Sequence, residues 1–378
     1  MKDSKLHFET RAIQSTFMKD KNAGAISTPI YLSTNFEREA DGSYAHDFVY
    51  ARMDNPNRKH LEQSLAMLEN GAIAFSFSSG MAAINAVFQS LKSGDHIIIP
   101  DDAYYSTEAL ARDIFERWDL QMSKVDMSNT NEVKKAIRPN TVLIWIETPS
   151  NPQLKISDIE TISQIAHEAG AICVVDNTWA TPVMQLPLDL GADIVMHSVT
   201  KYFGGHGDVL GGALILKNND ELAQRIAFVQ KITGSVPSPF ECWLVSRGIK
   251  TLALRVRAQT ETAGKLATYL STHPKVEVVH YPGLIAHPQY SIAAKQMKGG
   301  FGAVLSVQIK GDAKNAMQLT GKLKLFTTAT SLGAVESLVE HRQSIEGPLT
   351  KTPANLLRVS VGLEHIDDLI NDWKQALG

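Results

Sequence analysis

The sequence predicts an α/β protein with a mostly parallel, buried sheet followed by a smaller α+β part. Between about residues 56 and 215, short apolar runs alternate with amphipathic segments, which is typical of strand–helix crossover units. A long helical pattern then follows the turn-rich SVPSP at 235–239. With 378 residues the chain also exceeds the usual size of one domain, so we expect two domains.

The elements follow in order along the chain. Residues 1–55 lack a sustained periodic pattern, so we expect an extended arm that reaches a neighbouring subunit. Residues 56–245 form the predicted large domain, with strands at AIAFSF, DHIIIP, TVLIWIE, AICVVD, DIVMHS and GGALIL. Residues 246–378 form the predicted C-terminal α+β domain, with strands at VEVVHY, AVLSVQI and LLRVSVG.

Composition narrows the classes of partner. A net charge of -3 with 20% charged residues gives no reason to expect nucleic acid or an anionic membrane. No run approaches the roughly 18 apolar residues that a membrane span requires. The two cysteines, Cys173 and Cys242, are too far apart for the usual zinc-site spacing. We therefore expect a cytoplasmic protein with reduced thiols and no nucleic-acid or membrane partner.

Lys201 lies in the stretch MHSVTKYFGGHGD at 196–208, directly after a predicted strand. Ligands gather at the carboxyl ends of strands in open α/β sheets, although a lone lysine is more often an exposed surface residue. A dinucleotide-binding fingerprint fails because its third glycine would fall at Leu210. His206 and Asp208 offer two possible metal ligands but no further partner, so a hydrogen-bonded loop histidine is the better interpretation.

A second stretch, SSGMAAIN at 78–85, ends a predicted strand and opens a helix. The free backbone N–H groups and the positive end of the helix dipole at Gly80 and Met81 would hold a phosphate, although the same residues also make an ordinary helix cap. Ser198 and Thr200, close to Lys201, could add hydroxyl donors.

Asp176 closes the apolar strand AICVVD. A carboxylate at a buried strand end is costly unless it has a cationic partner, and a protonated pyridine nitrogen would be one. A phosphate site, an amine and a strand-end aspartate together indicate pyridoxal 5'-phosphate.

Eight motifs extend this interpretation over nearly the whole chain. In their order, the chain resembles the cystathionine/methionine trans-sulfuration family of fold-type I pyridoxal-phosphate enzymes, such as cystathionine γ-synthase and γ-lyase. The resemblance implies a homotetramer built from dimers with shared active sites. The motifs are YARMDNPN, SSGMAA, DDAYYST, ETPSNP, VVDNTWATP, HSVTKYFGGHGD, SLGAVESL and LLRVSVGLE.

The resemblance also implies the roles of the cofactor-binding residues. Lys201 forms the Schiff base and moves protons, and Asp176 pairs with the pyridinium nitrogen. Tyr104 stacks on the ring and assists proton transfer, while Asn151 contacts the ring hydroxyl. The residues implied at the phosphate are Gly80, Met81, Ser198 and Thr200, with Tyr50 and Arg52 from the neighbouring subunit.

On the substrate side, the resemblance implies that Arg358 clamps the substrate carboxylate with help from Ser331, and that Glu147 lines the site near Asn151. A guanidinium suits this task because it donates two parallel hydrogen bonds. Thr330 stands where γ-synthases and γ-lyases usually carry glutamate, so we expect weaker selection for a distal ammonium. Further departures are Tyr105 and Ser106 for glycines, Trp179 for phenylalanine, Gly207 for serine, and HRQSIEGP at 341–348.

The expected activity is γ-type trans-sulfuration, either cleaving cystathionine or joining cysteine to an activated homoserine. Cystathionine β-lyase, methionine γ-lyase and O-acylhomoserine sulfhydrylase activities stay open as alternatives. A catalytically idle scaffold is also conceivable, and the presence of Lys201, Asp176, Tyr104 and Arg358 together argues against it. An aminotransferase would fit the fold alone, but a fold does not determine function.

Overall fold

The larger sheet has seven strands in the order β1-β7-β6-β5-β4-β2-β3. Neighbouring strands are parallel except that β7 is antiparallel to both β6 and β1, which confirms the mostly parallel sheet. The computed structural model describes residues 6–18, 20, 23–346 and 350–378. The strands are β1 (Ile73–Phe77), β2 (His96–Pro100), β3 (Gln121–Val125), β4 (Thr141–Glu147), β5 (Ile172–Asp176), β6 (Ile194–His197) and β7 (Gly212–Leu216).

Helices cover both faces of this sheet. Ile97 and Ile99 of β2 pack in one buried apolar cluster with Phe88 of the helix after β1, while Ile98 packs in the other cluster with Ile162. This alternation follows from the two-residue period of a strand. The helices are α1 (Phe8–Ser15), α2 (Pro56–Leu68), α3 (Gly80–Gln89), α4 (Tyr105–Ala109), α5 (Thr130–Ala136), α6 (Ile159–Glu168), α7 (Thr181–Met184), α8 (Glu221–Thr233), α9 (Pro239–Ile249) and α10 (Leu252–Ser271), with a π-turn at Leu110–Ile114 and 3-10 turns at Phe115–Trp118 and Pro187–Leu190.

A second sheet of five strands follows in the order β10-β11-β12-β9-β8. All of its pairs are antiparallel except β10 with β11. Its strands are β8 (Val276–His280), β9 (Val304–Ile309), β10 (Thr327–Thr328), β11 (Leu338–His341) and β12 (Leu356–Ser360), and its helices are α11 (Tyr290–Gln296), α12 (Ala313–Thr320), α13 (Arg342–Glu346) and α14 (Ile366–Leu377).

Two local features differ from the sequence-based expectation. The first 55 residues are not extended throughout, because α1 forms there and buries Ala12 and Ser15. Eight residues give too short a window for a helical period to stand out. The long pattern at 240–270 is two helices, α9 and α10, with a break at Lys250 and Thr251. The division at 55 and 245 stays a prediction, and residue 245 lies inside α9.

No helix among the described residues combines the length and apolar character needed to cross a membrane.

Candidate active site

A cavity of about 200 Å³ lies where the carboxyl ends of the parallel strands face the second sheet. Glu147 and Asp176 are the last residues of β4 and β5 and pair in register. Because parallel strands end at the same edge, their terminal side chains meet there. The cavity is lined by every predicted site residue except Tyr50 and Arg52, namely Lys201, Tyr104, Gly80, Met81, Asn151, Asp176, Ser198, Thr200, Glu147, Thr330, Ser331 and Arg358.

The start of α3 forms one wall of the cavity. Ser79 caps this helix by accepting a hydrogen bond from the backbone N–H of Ala82 at 3.0 Å. The first backbone N–H groups of a helix have no intrahelical acceptor, so those of Gly80 and Met81 are available to an anion. A Cβ on Gly80 would lie 3.1 Å from the Cβ of Ser198. A larger residue would require Ser198 or the helix to shift by a few tenths of an ångström, so glycine favours this close approach.

Lys201 is partly buried, and its Nζ donates a hydrogen bond to the Ser331 Oγ at 2.7 Å. Burial lowers the pKa of Lys201 to about 8, and the nearby positive charge of Arg358 adds to this effect. An amine with this pKa is partly neutral near physiological pH, so it can act as a nucleophile or a base.

Two carboxyl groups, those of Glu147 and Asp176, lie at the neighbouring ends of β4 and β5. Burial raises the pKa of Asp176, and burial together with the charge of Asp176 raises the pKa of Glu147 well above its usual value. Asp176 Oδ1 accepts a hydrogen bond from the Thr178 backbone N–H at 2.9 Å, and Glu147 Oε2 accepts one from the Tyr104 backbone N–H at 2.8 Å. A cationic ring nitrogen beside Asp176 would offset the cost of burying its charge.

Arg358, on β12, closes the cavity from the second sheet. Its guanidinium donates to Asn151 Oδ1 at 3.1 Å, to the backbone carbonyl of Ser331 at 3.1 Å and to Glu340 Oε2 at 2.5 Å. Burial lowers the pKa of Arg358 to about 10, and the neighbouring Arg342 contributes to this effect. These contacts fix the guanidinium in one orientation before any ligand binds.

Comparison with known proteins assigns the chain to a family. A family model described as "Cys/Met metabolism PLP-dependent enzyme" matches residues 9–378. The chain belongs to this family. The resemblance noted from the motifs is thereby confirmed, and the protein is a pyridoxal-phosphate-dependent enzyme of the trans-sulfuration type.

Individual relatives carry several names within this family. The chain is 47% identical to a cystathionine γ-synthase of Mycobacterium tuberculosis, over 98% of this chain and 96% of the relative. It is 40% identical to a cystathionine β-lyase of Coxiella burnetii, over 99% of both chains. A crystal structure of cystathionine γ-lyase from Lactobacillus plantarum, complexed with L-serine, superimposes with a TM-score of 0.94 at 40% identity, covering 98% of each chain. The fold is therefore that of fold-type I enzymes, as expected.

The described residues fit the family's cofactor. A helix N-terminus with nearby hydroxyls suits a phosphate, a buried carboxylate suits a protonated ring nitrogen, and a lysine with a low pKa suits an aldehyde. The three groups are the helix N-terminus at Gly80, the carboxylate of Asp176 and the amine of Lys201, and all three line the same cavity.

Tyr50 and Arg52 lie outside this cavity as the structure describes it. Arg52 Nη1 donates to the Lys231 backbone carbonyl at 2.7 Å, and its guanidinium carbon lies 5.9 Å from the centre of the Tyr50 ring. Both side chains are exposed, which is compatible with a contact to another subunit.

The sequence reasoning missed several residues of the cavity wall. Thr178 Oγ1 accepts a hydrogen bond from the Ser198 backbone N–H at 2.9 Å, so it joins the ends of β5 and β6. Thr178 follows the strand-end Asp176 by two residues, and this position in the sequence could have indicated that it lies at the cavity. Arg342 belongs to the departing segment HRQSIEGP but was not assigned to the site. Also missed were Ser79, Ile84, Met196, Leu210 and Leu332.

The pKa of Lys201 gives a prediction for the apoprotein. Because only the neutral amine adds to an aldehyde, labelling of Lys201 by pyridoxal phosphate and borohydride should rise through about pH 8 and then level off. Peptide mass spectrometry at a series of pH values measures this rate, with Lys201→Ala as the control for peptide assignment. A rate that keeps rising to about pH 10, as for an ordinary lysine, would contradict the lowered pKa.

Proposed function

We propose that this enzyme makes or breaks the carbon–sulfur bond at Cγ of a sulfur amino acid, as a cystathionine γ-synthase or γ-lyase. The observation that carries the proposal is Lys201, whose Nζ contacts Ser331 in a cavity that also holds Arg358 and Asp176. The names of the relatives support this chemistry and also keep cystathionine β-lyase activity open. Methionine γ-lyase and O-acylhomoserine sulfhydrylase activities stay open as well.

Pyridoxal phosphate supplies an electron sink next to the substrate Cα when it is bound. In the proposed arrangement Asp176 would keep the ring nitrogen protonated, and Asn151 and Tyr104 would help to hold the ring. The proposed phosphate ligands are Gly80, Met81, Ser198 and Thr200, which all line the cavity.

Lys201 is the proposed base. Arg358 would hold the substrate carboxylate, so that the Cα proton faces the Lys201 amine. Reaction at Cγ requires removal of a second proton, from Cβ, and the same amine would perform this step after it has passed on the proton taken from Cα. The hydrogen bond of this amine to Ser331 would hold it in place at the cavity wall.

Tyr50 and Arg52 are proposed to complete the phosphate site of a neighbouring subunit, because both are exposed and lie outside the cavity of their own chain. The homotetramer and the cytoplasmic location stay predictions.

Product analysis tests the proposed reaction. If the enzyme is a γ-lyase, incubating the purified holoenzyme with cystathionine should yield a four-carbon keto acid, ammonia and cysteine, because cleavage at Cγ leaves the sulfur on the three-carbon side. If it is a γ-synthase, cysteine and an acyl-homoserine should instead yield cystathionine. Pyruvate and homocysteine would instead establish β-lyase activity. Methionine, cysteine and acyl-homoserines are assayed in parallel. The control variant Lys201→Ala should lose nearly all turnover with each substrate. Absence of any product from the wild-type holoenzyme would favour the idle scaffold.

The shared site predicts complementation between two inactive variants. Mixing Arg52→Ala with Lys201→Ala subunits should restore activity, because each hybrid dimer contains one site with both native residues. Activity is measured after the subunits are dissociated and reassembled, and native mass spectrometry verifies that hybrids form. Hybrids without recovered activity would show that Arg52 does not serve the neighbouring site.

Thr330 lines the cavity and offers a neutral hydroxyl where a carboxylate would bind a distal ammonium. A charge-assisted hydrogen bond is worth about 1.5–3 kcal/mol. Thr330→Glu should therefore raise the ratio of kcat/KM for cystathionine to kcat/KM for methionine by about tenfold, since tenfold corresponds to about 1.4 kcal/mol. Thr330→Gln is the neutral control. An unchanged ratio would mean that this position does not contact the distal ammonium.

A further inference from the structure

Four buried charges of alternating sign lead from the second sheet to the substrate cavity. Glu346, Arg342, Glu340 and Arg358 form this charge chain, and each side chain is at most 8% exposed. Glu340 Oε2 accepts from Arg358 Nη2 at 2.5 Å and from Arg342 Nη1 at 3.0 Å. One carboxylate oxygen thus joins the two guanidiniums.

Arg342 also binds a second carboxylate, that of Glu346. Its Nη2 and Nε donate to Glu346 Oε1 at 2.5 and 3.1 Å. Glu346 Oε2 accepts from the hydroxyls of Thr350 and Thr352 at 2.5 and 2.6 Å. Arg342 is therefore fixed between two carboxylates.

The order of the charges matters for a ligand in the cavity. Arg358 and Arg342 both line it, whereas Glu346 lines a neighbouring cavity of about 270 Å³ together with Thr350 and Thr352. If Arg342 were absent, the charge of Glu340 would offset that of Arg358. A substrate carboxylate that approached Arg358 would then be repelled by the buried carboxylate of Glu340. Arg342 adds a positive charge on the cavity side and binds the same oxygen of Glu340.

We propose that Arg342 is a positioning residue for carboxylate recognition, because it shares Glu340 with Arg358 and keeps the cavity wall positive where the substrate carboxylate binds. The inference rests on the proposed role of Arg358 as the carboxylate clamp. The same charges also affect Lys201. After the larger effect of burial, Arg358 and Arg342 lower the pKa of Lys201 and Glu340 raises it.

Two ligands that differ only in the carboxylate test this role. L-alanine and L-alaninamide are titrated into the holoenzyme, and the change in the visible absorbance of the bound cofactor gives an apparent Kd for each. Arg342→Leu should weaken L-alanine binding by about tenfold, because the cavity wall loses a positive charge and Glu340 is left beside Arg358 alone, and should change L-alaninamide binding by less than about twofold. Equal changes for both ligands, or none for L-alanine, would overturn the proposal.

A second variant keeps the test decisive if Arg342→Leu folds poorly. Glu346→Gln removes a negative charge from the far end of the charge chain and should tighten L-alanine binding. The double variant Arg342→Leu/Glu346→Gln should recover part of the lost affinity, because the local charge balance returns, whereas a packing defect would persist. Loosened L-alanine binding in Glu346→Gln, or no recovery in the double variant, would contradict the charge-based role.

Controls separate this inference from the proposed function. Arg225→Leu removes an arginine that pairs with Glu221 on the surface and should leave both affinities unchanged. Arg358→Leu should abolish the preference for L-alanine over L-alaninamide. A preference that survives Arg358→Leu would refute the proposed clamp itself. A preference lost in Arg358→Leu but intact in Arg342→Leu would refute only the role of Arg342.

Discussion

Burial of opposite charges at one edge of the sheet is the constraint on which the site depends. Burial favours the neutral form of each ionisable group. It lowers the pKa values of Lys201 and Arg358 and raises the pKa values of Asp176 and Glu147. Such groups are tolerated only when partners lie within hydrogen-bonding distance. The contacts of Arg358 to Asn151 and of Lys201 to Ser331 join the two sheets through these charges.

Much of the first sheet and its half of the site could be predicted from sequence. Apolar runs such as TVLIWIE mark buried parallel strands, and the residue that ends each run lies at the common carboxyl edge. This rule located Asp176 and Lys201, and the observed β4 and β5 end at Glu147 and Asp176. The motif resemblance added Tyr104 and Asn151 to the same cavity.

Other parts could not be derived from local pattern. The short helices α1 and α13 and the two-residue strand β10 are too brief for periodicity to indicate them. The pairing of Arg358 with Glu340 depends on the register of β11 against β12, and the contact between Arg358 and Asn151 joins residues 207 positions apart. Tertiary packing, which no single segment encodes, determines these contacts.

The composition of the cavity wall has an evolutionary consequence. Residues that suit the cofactor lie mainly between Gly80 and Lys201, whereas Thr330, Ser331, Arg342 and Arg358 come from one later stretch of the chain. Under the roles proposed above, mutations in that stretch would alter which amino acid is accepted without changing the residues proposed to bind the cofactor. Relatives named γ-synthase, γ-lyase and β-lyase, at 40–47% identity to this chain, show that one architecture carries several activities.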